Sequence, residues 1–295
     1  MSATVFDGKA LAATIKQETI ERVRGLKDSG VGVRLDAIMV GDPEAGTIFA
    51  QSQERQCREV GIAYHLHALP VTSTQDEVCG TIRRLNNTPD VTGILLNLPF
   101  PDGIDTPAAK YCIDPYKDIE GVNPVNIGML FYNCPIMAPC TASAVLEVLA
   151  HIGCRVRGLH AVVIGMGTIT GRPMALNLMQ QDATVTACNV HTRDLAEHTR
   201  RADLIVATAG VPGLIGAEHV KPGAVVIDVG INRVPAEPGS PTTRIVGDVR
   251  FDEVRQIAGV ITPVPGGVGP VTVAVVLRSA TEAVRRQRGP RRIGG

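Results

Sequence analysis

Helical and strand-like patterns alternate along almost the whole chain, and this alternation constrains its fold more than any other feature. Short apolar runs predict strands at residues 34–40, 63–69, 93–98, 160–164, 184–188, 204–208 and 224–229. Helical spacing predicts helices at residues 9–28, 47–61, 74–86, 138–153, 172–181, 195–201 and 273–288. Strands that alternate with helices pair in parallel through helical crossovers. The sequence therefore predicts an α/β fold with two lobes.

Composition and charge exclude several functional classes. The 29 basic and 29 acidic residues cancel, so charge gives no case for a nucleic-acid partner. No apolar run is long enough to span a bilayer and no signal region precedes the first helix, so we expect a cytoplasmic protein without a membrane partner. The seven cysteines form no Cys-x-x-Cys pair, which favours a reducing compartment. His65 and His67 have no acidic neighbour in sequence, so they are predicted as surface histidines, and no metal site is expected.

The run from Thr262 to Thr272 holds three prolines and three glycines in eleven residues. Such a composition is incompatible with a helix interior or a central strand. It is also longer than a tight turn requires. We therefore predict a stiff, ligand-contacting loop between a strand that ends at Ile261 and a helix that begins at Val273.

A second glycine-rich segment follows the strand predicted at 160–164. Gly165, Gly167 and Gly171 lie there with the spacing Gly-x-Gly-x-x-x-Gly, just before a predicted helix. Glycines let a backbone approach a pyrophosphate closely, and a helix N-terminus offers unpaired N–H groups. The segment predicts a dinucleotide site, and the alternative is a structural turn that holds no ligand.

The loop at 262–272 resembles a signature of the methylenetetrahydrofolate dehydrogenase/cyclohydrolase family. Other segments match the family in order, at residues 7–9, 61–62, 97–101, 117–121, 171–173 and 226–232. The resemblance implies an N-terminal αβα substrate lobe and a C-terminal Rossmann-like dinucleotide-binding lobe with the cleft between them. It implies a folate-binding catalytic domain at 1–140 completed by the helix at 270–288, and an NAD(P)-binding domain at 141–269. The arginines near the C-terminus indicate a basic tail at 289–295. It also implies a homodimer that takes a folate substrate.

The residues that carry the family's chemistry differ in this chain. Phe49, Gln53 and Asn97 stand at the family's catalytic Tyr, Lys and Gln, and Glu120 stands where an Asp grips the pterin. An amide neither gains nor loses a proton near neutral pH, so Gln53 cannot act as a general acid or base. The substrate contacts implied by the resemblance are Phe49, Gln53, Asn97, Leu98, Pro99, Asp118, Glu120, Pro265, Gly266 and Gly267.

The resemblance also implies a set of cofactor contacts. These are Gly165, Met166, Gly167, Thr168, Ile169, Gly171, Asn189, Val190, His191, Ala209, Gly210, Gly230, Ile231 and Asn232. Family members that use NADP hold its 2′-phosphate with basic or hydroxyl residues at the positions of Met166, Val190 and His191. Met and Val cannot bind a phosphate, and neutral imidazole binds it weakly. We therefore expect NAD rather than NADP, with Arg193 as an alternative phosphate ligand.

The combined pattern predicts an oxidoreductase of one-carbon metabolism. Hydride transfer from 5,10-methylenetetrahydrofolate needs two well-placed ligands rather than an acid–base residue. Hydrolysis of the methenyl product needs a proton shuttle, which Gln53 cannot provide. The cyclohydrolase activity of this chain is therefore predicted to be weak or lost. Two alternatives stay open: a redox-silent one-carbon transferase and a non-catalytic folate-binding module.

Overall fold

Two units make up the protein, whose residues 2–41, 43–237, 240 and 242–290 are described by a computed structural model. One unit contains the chain up to Ala13 together with Thr141–Val273, and the other contains Thr14–Cys140 and the chain from Ala274 onward. Most of the predicted basic tail, residues 291–295, lies outside the described residues. None of the helices within the described ranges is long and apolar enough to cross a membrane.

The helices and strands alternate as the sequence predicts. The helices are α1 (Gly8–Asp28), α2 (Pro43–Glu59), α3 (Gln75–Asn86), α4 (Thr106–Tyr111), α5 (Pro124–Phe131), α6 (Cys140–His151), α7 (Gly171–Gln180), α8 (Leu195–Thr199), α9 (Phe251–Val254) and α10 (Val268–Arg288). The strands are β1 (Thr4–Val5), β2 (Arg34–Val40), β3 (Ala63–Leu69), β4 (Gly93–Asn97), β5 (His160–Ile164), β6 (Thr184–Cys188), β7 (Leu204–Ala207), β8 (Val225–Asp228), β9 (Asn232–Pro235), β10 (Thr243–Val246) and β11 (Val260–Ile261).

The unit that contains Thr141–Val273 is built on a six-stranded parallel sheet, in the order β1-β11-β8-β7-β5-β6. Val162, Ile205 and Val226 on its central strands are fully buried. Parallel strands that are covered on both faces read as continuous apolar runs, which is why these strands are visible in the sequence. The predicted folate-binding domain at 1–140 includes the first thirteen residues. In the structure these residues belong to the other unit, because β1 pairs with β11 in this sheet.

The second unit is built on a three-stranded parallel sheet in the order β3-β2-β4. Leu35 and Leu95 on this sheet pack in one core cluster with Leu277 of α10. The helix α3 begins at a capping box formed by Thr74 and Glu77, which satisfies two of the unpaired donors of its first turn. The α/β fold with parallel sheets in two units is thus confirmed.

The structure corrects the predicted loop at 262–272. α10 begins at Val268, so the irregular segment ends at Gly267 and the predicted helix starts five residues too late. Pro270 is the third residue of α10, where its missing N–H would have no partner within the helix. Proline breaks a helix when it lies in the interior, but it is tolerated in the first turn.

Several short elements were not predicted. α4 and α5 begin after Asp105 and Asn123, whose side chains accept hydrogen bonds from the N–H groups of Ala108 and Val125. Both helices are too short for a helical period to be recognised in sequence. The antiparallel pair of β9 and β10 was also missed.

Candidate functional site

The glycine-rich segment between β5 and α7 is a close-packed turn. Gly165 has a φ of +95°, which favours glycine. A methyl group at Gly171 would lie 1.7 Å from the carbonyl oxygen of Gly165, whereas one at Gly167 would meet no atom within 4 Å. The Thr208 hydroxyl donates a 2.8 Å hydrogen bond to the same Gly165 carbonyl. The first and third glycines therefore let the turn close, and the second leaves open space beside the backbone.

The N-terminus of α7 faces this turn without a side-chain cap. Thr170 stands at the cap position but accepts no hydrogen bond from the first turn of the ten-residue helix. The first N–H groups of a helix have no partner within it, and together with the helix dipole they favour an anion. Thr168 and Ile169 of the turn are exposed. These features fit the pyrophosphate of a dinucleotide.

The segment after β6 carries the predicted adenosine-side residues. Val190 is 91% exposed and has no side-chain group that can bind a phosphate. The Asn189 side-chain oxygen accepts a 2.8 Å hydrogen bond from the backbone N–H of His191, so it is engaged in a local turn. Arg193 is exposed, and Met166 of the glycine turn is partly buried. Within residues 189–193, which the structure describes throughout, the basic side chains are His191 and Arg193, and both are exposed.

A buried carboxylate positions three other predicted cofactor residues. Asp248 is fully buried and accepts hydrogen bonds from the backbone N–H groups of Ala209 at 2.6 Å and Gly210 at 3.0 Å. It also accepts one from Nδ2 of Asn232 at 2.9 Å. The Asn232 amide thus holds the loop rather than projecting to solvent. The sequence did not identify Asp248, because its partners are distant in the chain.

A second buried carboxylate supports the first. Asp228 accepts hydrogen bonds from the backbone N–H groups of Gly230, Asp248 and Val249 at 2.9–3.0 Å. A methyl group at Gly230 would lie 2.2 Å from the Asp248 carboxylate, so glycine is required there. Burial raises the pKa of Asp228 to about 6, although these backbone donors lower it. The two aspartates together fix the loops after β7 and β8.

A cavity of about 530 Å³ lies next to these loops in the same unit. It brings together two sets of predicted contacts: Gly230 and Ile231 from the cofactor set, and the segment Pro265–Gly267 from the folate set. Lys9 also lines it, and the N–H of Gly8 donates a 3.1 Å hydrogen bond to the carbonyl of Gly266. A methyl group at Gly8 would lie 1.8 Å from the Gly267 carbonyl oxygen, which explains the glycine of the segment at 7–9.

The other unit holds the remaining predicted folate contacts. The Tyr64 hydroxyl of β3 donates a 2.7 Å hydrogen bond to Oε1 of Gln53 on α2. Phe49, one turn earlier on α2, is 55% exposed. Asn97 at the end of β4 is 6% exposed, and its Nδ2 has no hydrogen-bond partner among the described residues. Leu98 and Pro99 follow it and are exposed.

The sequence pattern gives no signal for Tyr64. It lies eleven residues from Gln53 and on a strand, so no helical spacing connects the two. Burial raises the pKa of Tyr64 to about 12, although the neighbouring Asn97 side chain lowers it. The hydroxyl therefore stays protonated across the neutral range, as a donor.

The loop at 117–121 is held from two sides. The Lys117 ammonium donates hydrogen bonds to the carbonyls of Leu85, Asn86 and Thr88 at 2.7–3.0 Å. The Asp118 carboxylate accepts hydrogen bonds from the Asn123 N–H at 2.7 Å and from Nδ2 of Asn126 at 2.8 Å. These two residues fix the backbone beside Glu120.

Glu120 itself takes part in none of those bonds. Burial raises the pKa of Glu120 to about 7, with a further contribution from Asp118, and Lys110 opposes the shift. Burial of Lys110 lowers its own pKa, which the charges of Glu120 and Asp118 oppose. Burial therefore brings the pKa of Glu120 into the neutral range.

The prediction that His67 has no acidic partner was wrong. Nε2 of His67 lies 2.7 Å from the fully buried carboxylate of Asp36, which also accepts two 2.8 Å hydrogen bonds from Arg34. The pairing of β2 with β3 brings these residues together, although they are 31 positions apart. Within the described part of the chain, no group of three or more His, Cys, Asp or Glu side chains could hold a metal ion.

Comparisons with known proteins cover both units. A family model described as "Tetrahydrofolate dehydrogenase/cyclohydrolase, catalytic domain" matches residues 6–120, and one described as "Tetrahydrofolate dehydrogenase/cyclohydrolase, NAD(P)-binding domain" matches residues 139–288. The bifunctional protein FolD 1 of Rubrobacter xylanophilus is 45% identical over 283 residues, which cover 96% of this chain and 98% of that protein.

Two solved structures extend this similarity to the fold. The bifunctional enzyme FolD, a methylenetetrahydrofolate dehydrogenase/cyclohydrolase from Campylobacter jejuni, gives a TM-score of 0.92 at 40% identity, covering 97% of this chain and 100% of that one. The methylenetetrahydrofolate dehydrogenase-cyclohydrolase of Trypanosoma brucei, in complex with NADP and an inhibitor, gives 0.91 at 39% identity, covering 98% and 100%.

Proposed function

The chain belongs to the tetrahydrofolate dehydrogenase/cyclohydrolase family, and from this premise we propose that it performs the dehydrogenase reaction and has lost most of the cyclohydrolase reaction. It is an NAD(P)-dependent enzyme of one-carbon metabolism that oxidises 5,10-methylenetetrahydrofolate to the 5,10-methenyl form. The division between the two activities follows from this chain's own residues.

The proposal rests on one observation. Neither Gln53, at the family's lysine position, nor the neighbouring Tyr64 exchanges a proton near neutral pH. Gln53 has a neutral amide, and its oxygen is occupied by the Tyr64 hydroxyl at 2.7 Å. The pKa of Tyr64 is raised to about 12 by burial, so Tyr64 is no acid–base substitute. A missing general acid or base typically slows a reaction by about 100- to 10,000-fold.

Dehydrogenation makes different demands on the protein. A bound nicotinamide supplies the hydride acceptor, so the chain has to bind and orient rather than exchange protons. The open space at Gly167 and the uncapped N-terminus of α7 fit the pyrophosphate of that cofactor. Asp248 and Asp228 hold the neighbouring loops in place through their backbone hydrogen bonds.

The proposal is tested by supplying the methenyl compound directly. With purified protein, decay of the methenyl absorbance should be little faster than in buffer alone, while methylene oxidation proceeds. Rapid protein-dependent decay would overturn the proposal. Glu120, whose pKa burial raises to about 7, would then be the candidate for the proton-transfer group. Protein that binds folate without reducing any nicotinamide would instead support the transferase or the non-catalytic module.

We further propose that NAD binds at least as tightly as NADP. Val190 is fully available to solvent and Met166 is apolar, so neither offers the 2′-phosphate a ligand. Dissociation constants measured for the two nucleotides test this. A strong NADP preference that is lost in Arg193→Ala would show that Arg193 binds the phosphate.

Two broader properties complete the proposal. The family resemblance supports a homodimer. Light scattering of the pure protein tests this, because it measures the molar mass in solution. The described cysteines are all free, which suits a reducing compartment, and we propose the cytoplasm. Recovery of the native protein in a membrane or secreted fraction would contradict that location.

A further inference from the structure

Tyr64 stands where it can control the altered lysine position. β3 pairs with β2, and Leu35 of β2 lies between Tyr64 and Gly93 in the register. Tyr64 packs against the cluster that contains Leu35 and Leu95, so its ring is held on the sheet. From there its hydroxyl reaches Oε1 of Gln53 at 2.7 Å.

This hydrogen bond determines which end of the Gln53 amide is available. A glutamine side chain has one acceptor oxygen and an NH₂ group with two donors. Because the Tyr64 hydroxyl donates to the oxygen, the NH₂ group remains as the free end. Among the described residues, no hydrogen bond uses Nε2 of Gln53, so this donor is available to a ligand.

A second amide donor nearby also lacks a partner. Nδ2 of Asn97 is buried and makes no hydrogen bond with the described residues. The Asn97 side chain is close enough to Tyr64 to influence the pKa of its hydroxyl. Buried polar groups normally have a partner, and the Tyr64 oxygen is within reach of this donor, so Nδ2 can donate either to Tyr64 or to an acceptor that arrives with a ligand. Gln53 and Asn97 thus form a neutral pair of donors.

We propose that Tyr64 is a positioning residue that fixes the Gln53 amide with Nε2 presented to an acceptor of the folate co-substrate, a carbonyl oxygen or a ring nitrogen. This inference rests on the proposed function and specifies how the folate is held. Because burial keeps the Tyr64 hydroxyl protonated, with a pKa of about 12, the hydroxyl remains a donor and Gln53 keeps one orientation. The altered position therefore becomes a binding contact in place of a proton shuttle.

A double-mutant cycle tests this arrangement, with tetrahydrofolate affinity measured by calorimetry. Tyr64→Phe keeps the ring and removes only the hydroxyl, and it should weaken binding by about three- to tenfold, the usual effect of one hydrogen bond. In a Gln53→Ala background the same change should have no further effect, since there is no amide left to position. Gln53→Glu still accepts from Tyr64 but has no NH₂ group, so it should weaken binding at least as much as Tyr64→Phe.

Tyr132→Phe is the matched control, because that tyrosine is 76% exposed and lies outside the proposed contacts. A purely structural role for Tyr64 predicts the same loss with and without Gln53, and equal losses in the two backgrounds would overturn this inference alone. Wild-type affinity in Gln53→Glu would overturn it as well. A wild-type protein that fails to bind tetrahydrofolate would overturn the proposed function together with it.

Discussion

Gly171→Ala is the substitution that the glycine turn should tolerate least. The added methyl group would lie 1.7 Å from the Gly165 carbonyl oxygen, and real contacts of this kind do not fall below 3.0 Å. The two groups must therefore separate by at least about 1.3 Å. The Gly165 carbonyl is held by the Thr208 hydroxyl, and the Gly165 N–H is bonded to the Cys188 carbonyl at 2.8 Å, so neither moves freely.

The expected cost is that of overpacking, about 1–3 kcal/mol, which lowers the midpoint of thermal unfolding by several degrees. Because the turn must shift by about an ångström, NAD affinity should fall about tenfold or more. Thermal unfolding and calorimetric titration with NAD measure both effects. A Gly171→Ala protein with wild-type stability and wild-type NAD affinity would refute this account of the turn.

Gly167→Ala is the matched control for stability. Its methyl group would meet no protein atom within 4 Å, so unfolding should be unchanged. If the pyrophosphate approaches the backbone there, the same methyl group obstructs it and NAD affinity falls. Unchanged affinity in Gly167→Ala would place the cofactor away from the second glycine.

Three further predictions concern the other unit. Phe49→Tyr combined with Gln53→Lys restores the family's pair and should raise methenyl hydrolysis by about one to a few orders of magnitude, and an unchanged decay of the methenyl absorbance would contradict it. Glu120→Gln should weaken folate binding by about 1.5–3 kcal/mol. Burial raises the pKa of Glu120 to about 7, so its contribution to stability is present below about pH 4.5 and is lost as pH rises through 7. The free energy of unfolding of Glu120→Gln should therefore lack this pH dependence. The sulfurs of Cys79 and Cys112 lie 2.9 Å apart. An excess of a small-molecule disulfide should join them by two thiol–disulfide exchanges that release two small thiols. A mass spectrum without the loss of two hydrogens would contradict this.

The sequence predicts those features that depend on neighbouring residues. The strands of both sheets appear as apolar runs, and the turn at Gly165 appears because strand, glycines and helix follow one another directly. The sequence predicts the start of α10 too late, because proline opposes a helix interior, whereas Pro270 lies in the first turn, where it is allowed. Composition alone does not distinguish a proline in the first turn from one in a loop.

The features that the sequence does not reveal depend on tertiary pairing. Tyr64 contacts Gln53 only because β3 lies under α2, and Asp248 reaches Ala209 across 39 residues. The partnership of Asp36 with His67 likewise requires the register of β2 and β3. None of these contacts has a sequence spacing that marks it in advance.

The most direct test of the central claim is a product balance with wild-type protein, 5,10-methylenetetrahydrofolate and NAD. The reduced nicotinamide and the methenyl compound should form in equal amounts, and the methenyl compound should persist and decay as slowly as in buffer. Reduced nicotinamide that forms while the methenyl compound is converted at once to the hydrolysed product would contradict the loss of the cyclohydrolase reaction. No reduced nicotinamide with either NAD or NADP would contradict the dehydrogenase itself.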